Sequence, residues 1–188
     1  MKIILEEYTN PSNLGKYAGI CYGREGNNEK RLAHIIGVGH LSVLRFGSAV
    51  FRISGISRVC LAQLTRSKHL DYLVRSSRYC DESEAELILP DAFGELDNEM
   101  QMHIAMYLQK SDDLYQDLRS KGMSKQDARY ILPQAQETEL FACGNYQAWK
   151  DFIKLRTSIS AQIEVREVAL AIEKELQQIA PIIFGEVE

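Results

Sequence analysis

The sequence predicts a mixed α/β (α+β) fold in a single domain spanning residues 1–188. Two kinds of periodicity and the chain length carry this expectation. From Ser48 to Ser54 the side chains alternate, with Ala49, Phe51 and Ile53 on one face and Val50 and Arg52 on the other. That is the period of a half-buried strand. Apolar residues return at helical spacing from Glu95 to Ser120 and from Ser160 to Ile179, the mark of amphipathic helices. A chain of 188 residues is long enough to bury a sizeable core without dividing into several domains.

In order along the chain, Lys2 to Glu6 reads as an opening strand, and Asn10-Pro11-Ser12-Asn13 has turn chemistry. Tyr17 to Tyr22 is a small apolar segment closed by Gly23, followed by the polar run GREGNNEK. Lys30 to Ile36 reads as a short helix with Leu32, Ile35 and Ile36 inward, stopped at Gly37. In GVGHLSV, Gly37 to Val43, two glycines precede His40 and Ser42, and glycine lets backbone approach a ligand closely.

The strand at Ser48 to Ser54 is expected to end at Gly55. Ile56, Val59, Cys60 and Leu64 then recur at helical spacing behind Ser57 as N-cap, so that Arg58, Gln63 and Arg66 share one short helix. Glu84 to Leu89 is acidic and then apolar, ending at Pro90. The long helix of Glu95 to Ser120 places Met100, Ile104, Tyr107, Leu108, Leu114 and Leu118 on its repeat and is capped by Gly122. Ser124 starts a brief helix that Pro133 breaks. Glu137 to Cys143 reads as a second central strand ended by Gly144. Asn145 then N-caps a helix on which Trp149, Phe152, Ile153 and Arg156 repeat. The last helix carries Ile163, Ala169, Ile172, Leu176 and Ile179 inward.

The formal net charge of -4 argues against a general nucleic-acid binder, which needs a basic excess to displace counterions. Cys21, Cys60, Cys80 and Cys143 form no CxxC pair, so neither a metal site nor a disulfide framework is indicated and buried free thiols are expected. The start MKIILEEYTN has only a short apolar run before acid follows, unlike a signal peptide. No apolar run is long enough to span a bilayer. A cytoplasmic protein is the simplest expectation.

Chemistry concentrates between Phe51 and Tyr79, FRISGISRVCLAQLTRSKHLDYLVRSSRY. Arg66, Lys68, Arg75 and Arg78 suggest an anion-binding corner, with Gln63 and Ser76 as neutral groups able to read a polar heterocycle. The other reading of these residues is a solvated basic helix face.

The frame RSKHLDYLVRSSRY, Arg66 to Tyr79, resembles the R-H-R-x-x-S-x-N-E-x-S-x-R-Y motif of the flavin-dependent thymidylate synthases. Arg66, Ser76, Arg78 and Tyr79 match it. Ser67, Lys68, Asp71, Leu73 and Val74 stand where the motif has His, Arg, Ser, Asn and Glu. GHLS, ISRVCLAQLTR, ARYILP, NYQAWKDFIKLR and AQIEVRE follow the family order and extend the resemblance over most of the chain. Arg45 replaces a common Glu, Gln147 and Asp151 replace Arg and Asn, and Ser160 replaces a common His.

The resemblance implies a mainly antiparallel sheet flanked by helices, and reductive methylation of dUMP to dTMP with methylenetetrahydrofolate, FAD and NADPH. It implies that Arg156 is the catalytic residue, polarising the pyrimidine, and that Arg78 and Arg129 hold the nucleotide phosphate. Ser76 and Gln63 would hydrogen-bond the substrate, and Arg66 would serve cofactor or substrate phosphate. His40, Ser42, Lys68 and Asn145 would join Arg66 at the flavin. A homotetramer with shared active sites is expected on the same ground. The motif departures leave two alternatives open: another pyrimidine nucleotide as substrate, or a nucleotide-binding or assembly protein that keeps the scaffold without the chemistry.

Overall fold

The computed structural model describes residues 1–23 and 26–185. Arg24 and Glu25, in the polar run GREGNNEK, lie outside the described residues. The chain is mixed helix and strand, with one open antiparallel sheet of four strands, β1 Lys2–Tyr8, β2 Ser48–Ser57, β3 Leu70–Val74 and β4 Glu137–Asn145, in the order β1-β2-β4-β3. Its contacts divide it into two compact units. The first comprises Met1–Ile53, Gln63–Leu73 and Phe141–Glu188, and the second Ser54–Ala62 and Val74–Leu140.

In the first unit the predicted alternation holds on β2, where Ala49, Phe51 and Ile53 are all buried. The helix α6, Tyr146–Arg156, packs its aromatic face there, with the Phe51 and Trp149 rings 5.1 Å apart and edge to face. The Trp149 indole N–H donates to the Ala49 carbonyl at 3.1 Å, so a large buried ring leaves no polar atom unpaired. Asn145 caps α6 as expected, its Oδ1 accepting the Ala148 N–H at 2.9 Å. The helix α7, Ile163–Ile179, buries Val165, Val168, Ala169, Ile172 and Leu176. It starts later than the sequence suggests, so Ile163 stands exposed at its first turn.

The N-terminal part of this unit corrects one reading. Asn10 to Asn13 is no free turn: Asn10 caps the helix α1, Pro11–Tyr22, with proline at its first position, where the missing N–H costs nothing. The apolar segment from Tyr17 is the second half of that helix, and Gly23 closes it. A second helix, α2, spans Asn28–Gly37 and buries Leu32 and Ile35, followed by a 3₁₀ turn over Leu41–Phe46. A short final helix, α8, Pro181–Phe184, closes the unit and seats Phe184 on Tyr146, with ring centroids 5.6 Å apart.

Two glycines expected to end strands lie within them. β2 runs through Gly55, whose φ of 70° is left-handed. The buried position shifts from the expected 55 to Ile56, as an inserted bulge residue requires. β4 runs through Gly144 to Asn145, and a Cβ at 144 would lie 2.2 Å from Leu70 Cδ2, so any larger residue there must displace that side chain.

In the second unit the long helix α4, Asn98–Ser120, is capped by Asp97 and buries Leu108, Ser111 and Tyr115. Met100, Tyr107 and Leu114, expected inward, are exposed, because the buried stripe follows the line through Ile104, Leu108, Ser111, Tyr115 and Leu118. Ser124 caps the brief α5, Lys125–Ala128, as predicted. Residues 86–88 pair with 135–137 through hydrogen bonds such as Ile88 N–H to Ala135 O at 2.7 Å. Of the free cysteines only Cys60 is buried, so the expectation of buried thiols holds there and fails for exposed Cys21 and half-buried Cys80 and Cys143. No helix among the described residues is long and apolar enough to cross a membrane.

Candidate active site

A helix C-terminus anchors the functional side chains of the first unit. The helix α3, Arg58–Leu64, begins where Ser57 Oγ accepts the Cys60 N–H at 3.0 Å, the predicted cap. It is shorter than expected. Arg66 lies past its end in an exposed turn, and Val59 is exposed where the repeat placed it inward. The final carbonyls of a helix have no partner within it and carry partial negative charge. Side-chain donors take two of them here. The Arg156 guanidinium donates one Nη–H to the Gln63 carbonyl at 2.8 Å, and the Tyr72 hydroxyl donates to the Leu64 carbonyl at 2.7 Å.

Arg156 is itself the last residue of α6, so its cation sits at the negative ends of two helices, which favours the charge. Its Nε is buried and has no hydrogen-bond partner among the described residues. A buried donor without an acceptor costs free energy. Burial pushes the Tyr72 hydroxyl above its ordinary pKa, against the lowering influence of Ser67 and of the Arg156 charge. The Gln63 side-chain amide donates to Gln162 Oε1, leaving the Gln63 side-chain oxygen to face other donors.

Among the residues expected at a cofactor, His40, Ser42, Arg66 and Lys68 are exposed, and Arg66 and Lys68 enter no ion pair among the described residues. Asn145 spends its carbonyl oxygen on the α6 cap and retains its amide N–H groups. The motif positions 67, 71 and 73 are occupied by a buried Ser67, an exposed Asp71 and a Leu73 that is 76% exposed.

The second unit holds Ser76, Arg78 and Arg129. Ser76 organises the tight turn of the SSRY segment: its carbonyl accepts the Tyr79 and Cys80 N–H groups at 3.0 and 2.9 Å. Arg78 is exposed and lies over the Tyr79 ring at 5.7 Å, a cation–π distance. Arg129 donates through Nη1 to Ser77 Oγ at 3.1 Å and through Nε to the Gln126 carbonyl at 3.2 Å. Ser77, buried and facing Arg129, escaped sequence reasoning because its neighbour Ser76 carried the motif.

Arg75 does not belong to an anion-binding corner. Its Nε lies 3.7 Å from the buried Glu82 carboxylate, and it also contacts Glu139 at 4.0 Å and the Asp81 carbonyl at 3.2 Å. Arg58 reaches the same Glu82 at 3.6 Å. These arginines neutralise an internal acid whose pKa burial nonetheless raises, with Arg75 and then Arg58 pulling it down. Glu82 was invisible to periodicity, since a lone Glu in a loop gives no signal of burial.

Residues 4–182 match the family model described as thymidylate synthase complementing protein. A flavin-dependent thymidylate synthase of Mycobacteroides abscessus is 38% identical over 178 residues, covering 87% of this chain and 71% of its own. One from Mycobacterium leprae is 34% identical over 204 residues, covering 94% of this chain and 80% of its own. One from a Mycobacterium species, strain KMS, is 35% identical over 184 residues, covering 88% and 72%. The chain therefore belongs to the flavin-dependent thymidylate synthase family, the family to which its arginine-rich motif pointed.

Proposed function

We propose that the protein makes dTMP by reductive methylation of dUMP, with methylenetetrahydrofolate supplying the carbon, NADPH the electrons and FAD as the resident cofactor. Family membership over nearly the whole chain supports the reaction class, and the buried, unpaired Nε of Arg156 is the structural observation that carries it to this chain. Arg156 offers a cation and a free donor to the pyrimidine, where negative charge develops as the ring carbon becomes nucleophilic. Gln63 reads the ring through its amide, Ser76 adds a hydroxyl, and Arg78 and Arg129 bind phosphate. Ser76 serves as a hydrogen-bonding group, with no role as nucleophile.

The residues of the first unit suit a flavin. His40, Ser42, Arg66 and Lys68 are exposed, Arg66 and Lys68 enter no ion pair among the described residues, and the Asn145 side-chain oxygen caps α6 while its amide is a donor. Arg66 and Lys68 would hold the cofactor's phosphates, and His40, Ser42 and Asn145 its polar atoms. When bound, the flavin supplies hydride chemistry that protein side chains lack. The protein's own share is to bind, orient and polarise, which fits a site built of cations and amides. A cytoplasmic homotetramer with shared active sites completes the reading.

Absorbance of freshly purified protein tests it. A flavin band in the isolated protein, or on adding FAD, is the expected result. Colourless protein that takes up no FAD would contradict the reading. Binding of dUMP without NADPH oxidation would favour instead the non-catalytic nucleotide-binding reading, which the changes at Ser67, Lys68, Asp71, Leu73 and Val74, with Arg45 and Ser160, motivate.

A further inference from the structure

A cavity of about 860 Å³ in the second unit, with Leu87 and Phe93 in its lining, is bounded by carboxylates and apolar groups, and nothing in the structure shows what fills it. The exposed stripe of Met100, Tyr107 and Leu114 on α4 likewise lacks a defined occupant. The C-terminus of α3 is different, because two side-chain donors, from Arg156 and Tyr72, hold its last carbonyls.

We infer that Tyr72 is a positioning residue for Arg156, acting through the last turn of α3; this rests on the role proposed for Arg156 above. The Gln63 carbonyl accepts from Arg156 at 2.8 Å, and the next carbonyl, Leu64, accepts from the Tyr72 hydroxyl at 2.7 Å. Leu64 O also accepts the Ser67 N–H at 2.9 Å, so the turn beyond the helix closes on the same atom. The hydroxyl thus pins the peptide beside the one that holds the guanidinium. Leu64 is itself buried, which fixes the helix end from its other side.

Three consequences follow from this geometry. Tyr72 lies in the first unit, on β3, and contributes its hydroxyl without spending any acceptor that Arg156 needs. The Arg156 cation lies close enough to lower the Tyr72 pKa, so the two groups sense one another electrostatically as well as through the peptide. With one Nη held on Gln63 O, the buried Nε has no hydrogen-bond partner among the described residues. Losing the Tyr72 bond removes one of the restraints on the helix end, and the guanidinium loses part of its fixed direction. A near-attack arrangement is sensitive to displacements of this kind. Tyr72 occupies a variable position of the motif, so its role is set by this chain's own packing.

A double-mutant cycle of Tyr72→Phe and Arg156→Lys, measured on the holoenzyme in two ways, tests the inference. Phenylalanine keeps the ring and removes only the donor. In the first arm, thermal or denaturant unfolding reads the pair without reference to activity. Coupled stability losses are expected, and strict additivity would overturn the inference. In the second arm, turnover of dUMP is compared. Tyr72→Phe is expected to lower kcat/KM by about three- to tenfold in the wild-type background, mainly through kcat, and to have almost no further effect beside Arg156→Lys. An equal loss in both backgrounds, or none in the wild type, would overturn the positioning role. If Arg156→Lys alone leaves turnover unchanged, the proposed role of Arg156 fails, and the first arm still decides whether the two side chains share an anchor.

Discussion

Replacing Arg156 by lysine isolates the feature on which the proposed chemistry depends. The guanidinium can give one Nη–H to the Gln63 carbonyl at 2.8 Å while keeping its buried Nε for a ligand. Lysine keeps the positive charge at the ends of two helices but has a single ammonium at the tip, so it cannot hold the anchor and present a fixed second donor. The loss is therefore one charge-assisted hydrogen bond to the reacting ring, roughly 1.5–3 kcal/mol. That corresponds to about ten- to a hundredfold in rate. The decrease should fall on kcat, with the KM for dUMP changing by less than about threefold, because the donor matters most when ring charge develops. Steady-state turnover with methylenetetrahydrofolate and NADPH is the assay, and far-UV circular dichroism checks that the variant is folded. A folded Arg156→Lys enzyme with kcat within about threefold of wild type would refute the argument.

Three further outcomes follow from the packing and the titrating groups. Gly144→Ala puts a Cβ at 2.2 Å from Leu70 Cδ2 and should cost about 1–3 kcal/mol by denaturant titration; an unchanged midpoint would show that Leu70 yields freely. Tyr146 is fully buried, donates to the Thr9 carbonyl, and has its pKa pushed from 10.0 up to about 12 by burial. The raised value means that its contribution is whole below the ordinary tyrosine range and is lost as pH rises through the folded value. The stability gap between wild type and Tyr146→Phe should therefore narrow across that interval by about 1.4 kcal/mol per pH unit, and a gap independent of pH would contradict the assignment. Glu82, raised by burial despite Arg75 and Arg58, should make the wild type lose stability as pH climbs from the ordinary carboxylate range through its raised value. Tm against pH for Glu82→Gln should be flatter in that window, and parallel curves would count against a raised carboxyl.

Periodicity located most elements because each buries a single regular face. Ala49, Phe51 and Ile53 on β2, and Trp149, Phe152 and Ile153 on α6, are buried where the spacing placed them. It failed where a local signal had two physical meanings. Gly55 and Gly144 look like strand terminators, yet one supplies a left-handed φ inside a strand and the other makes room for Leu70. Asn10-Pro11 looks like a turn because the residues of a turn are also those of a helix start. On α4 the competing apolar stripes through Met100 and through Leu108 cannot be ranked until the packing partner is known. At the candidate site, Gln63, Arg129 and Arg156 are picked out as candidates by resemblance to family motifs, since periodicity alone reads Arg129 as a surface charge. Their supports are not: Tyr72, Ser77 and Glu82 act through a hydroxyl on a carbonyl, a hydroxyl under a guanidinium and a buried acid. Those contacts run between loops, strand and helix ends rather than along one regular element, and no short pattern encodes them.

The most direct measurement follows tritium released from the C5 position of labelled dUMP, together with dTMP by mass spectrometry, in protein supplied with FAD, NADPH and methylenetetrahydrofolate. Tritium release matched by stoichiometric dTMP, and dependent on all three additions, is the predicted result. Folded protein that binds dUMP but releases no tritium and forms no methylated nucleotide would contradict the account.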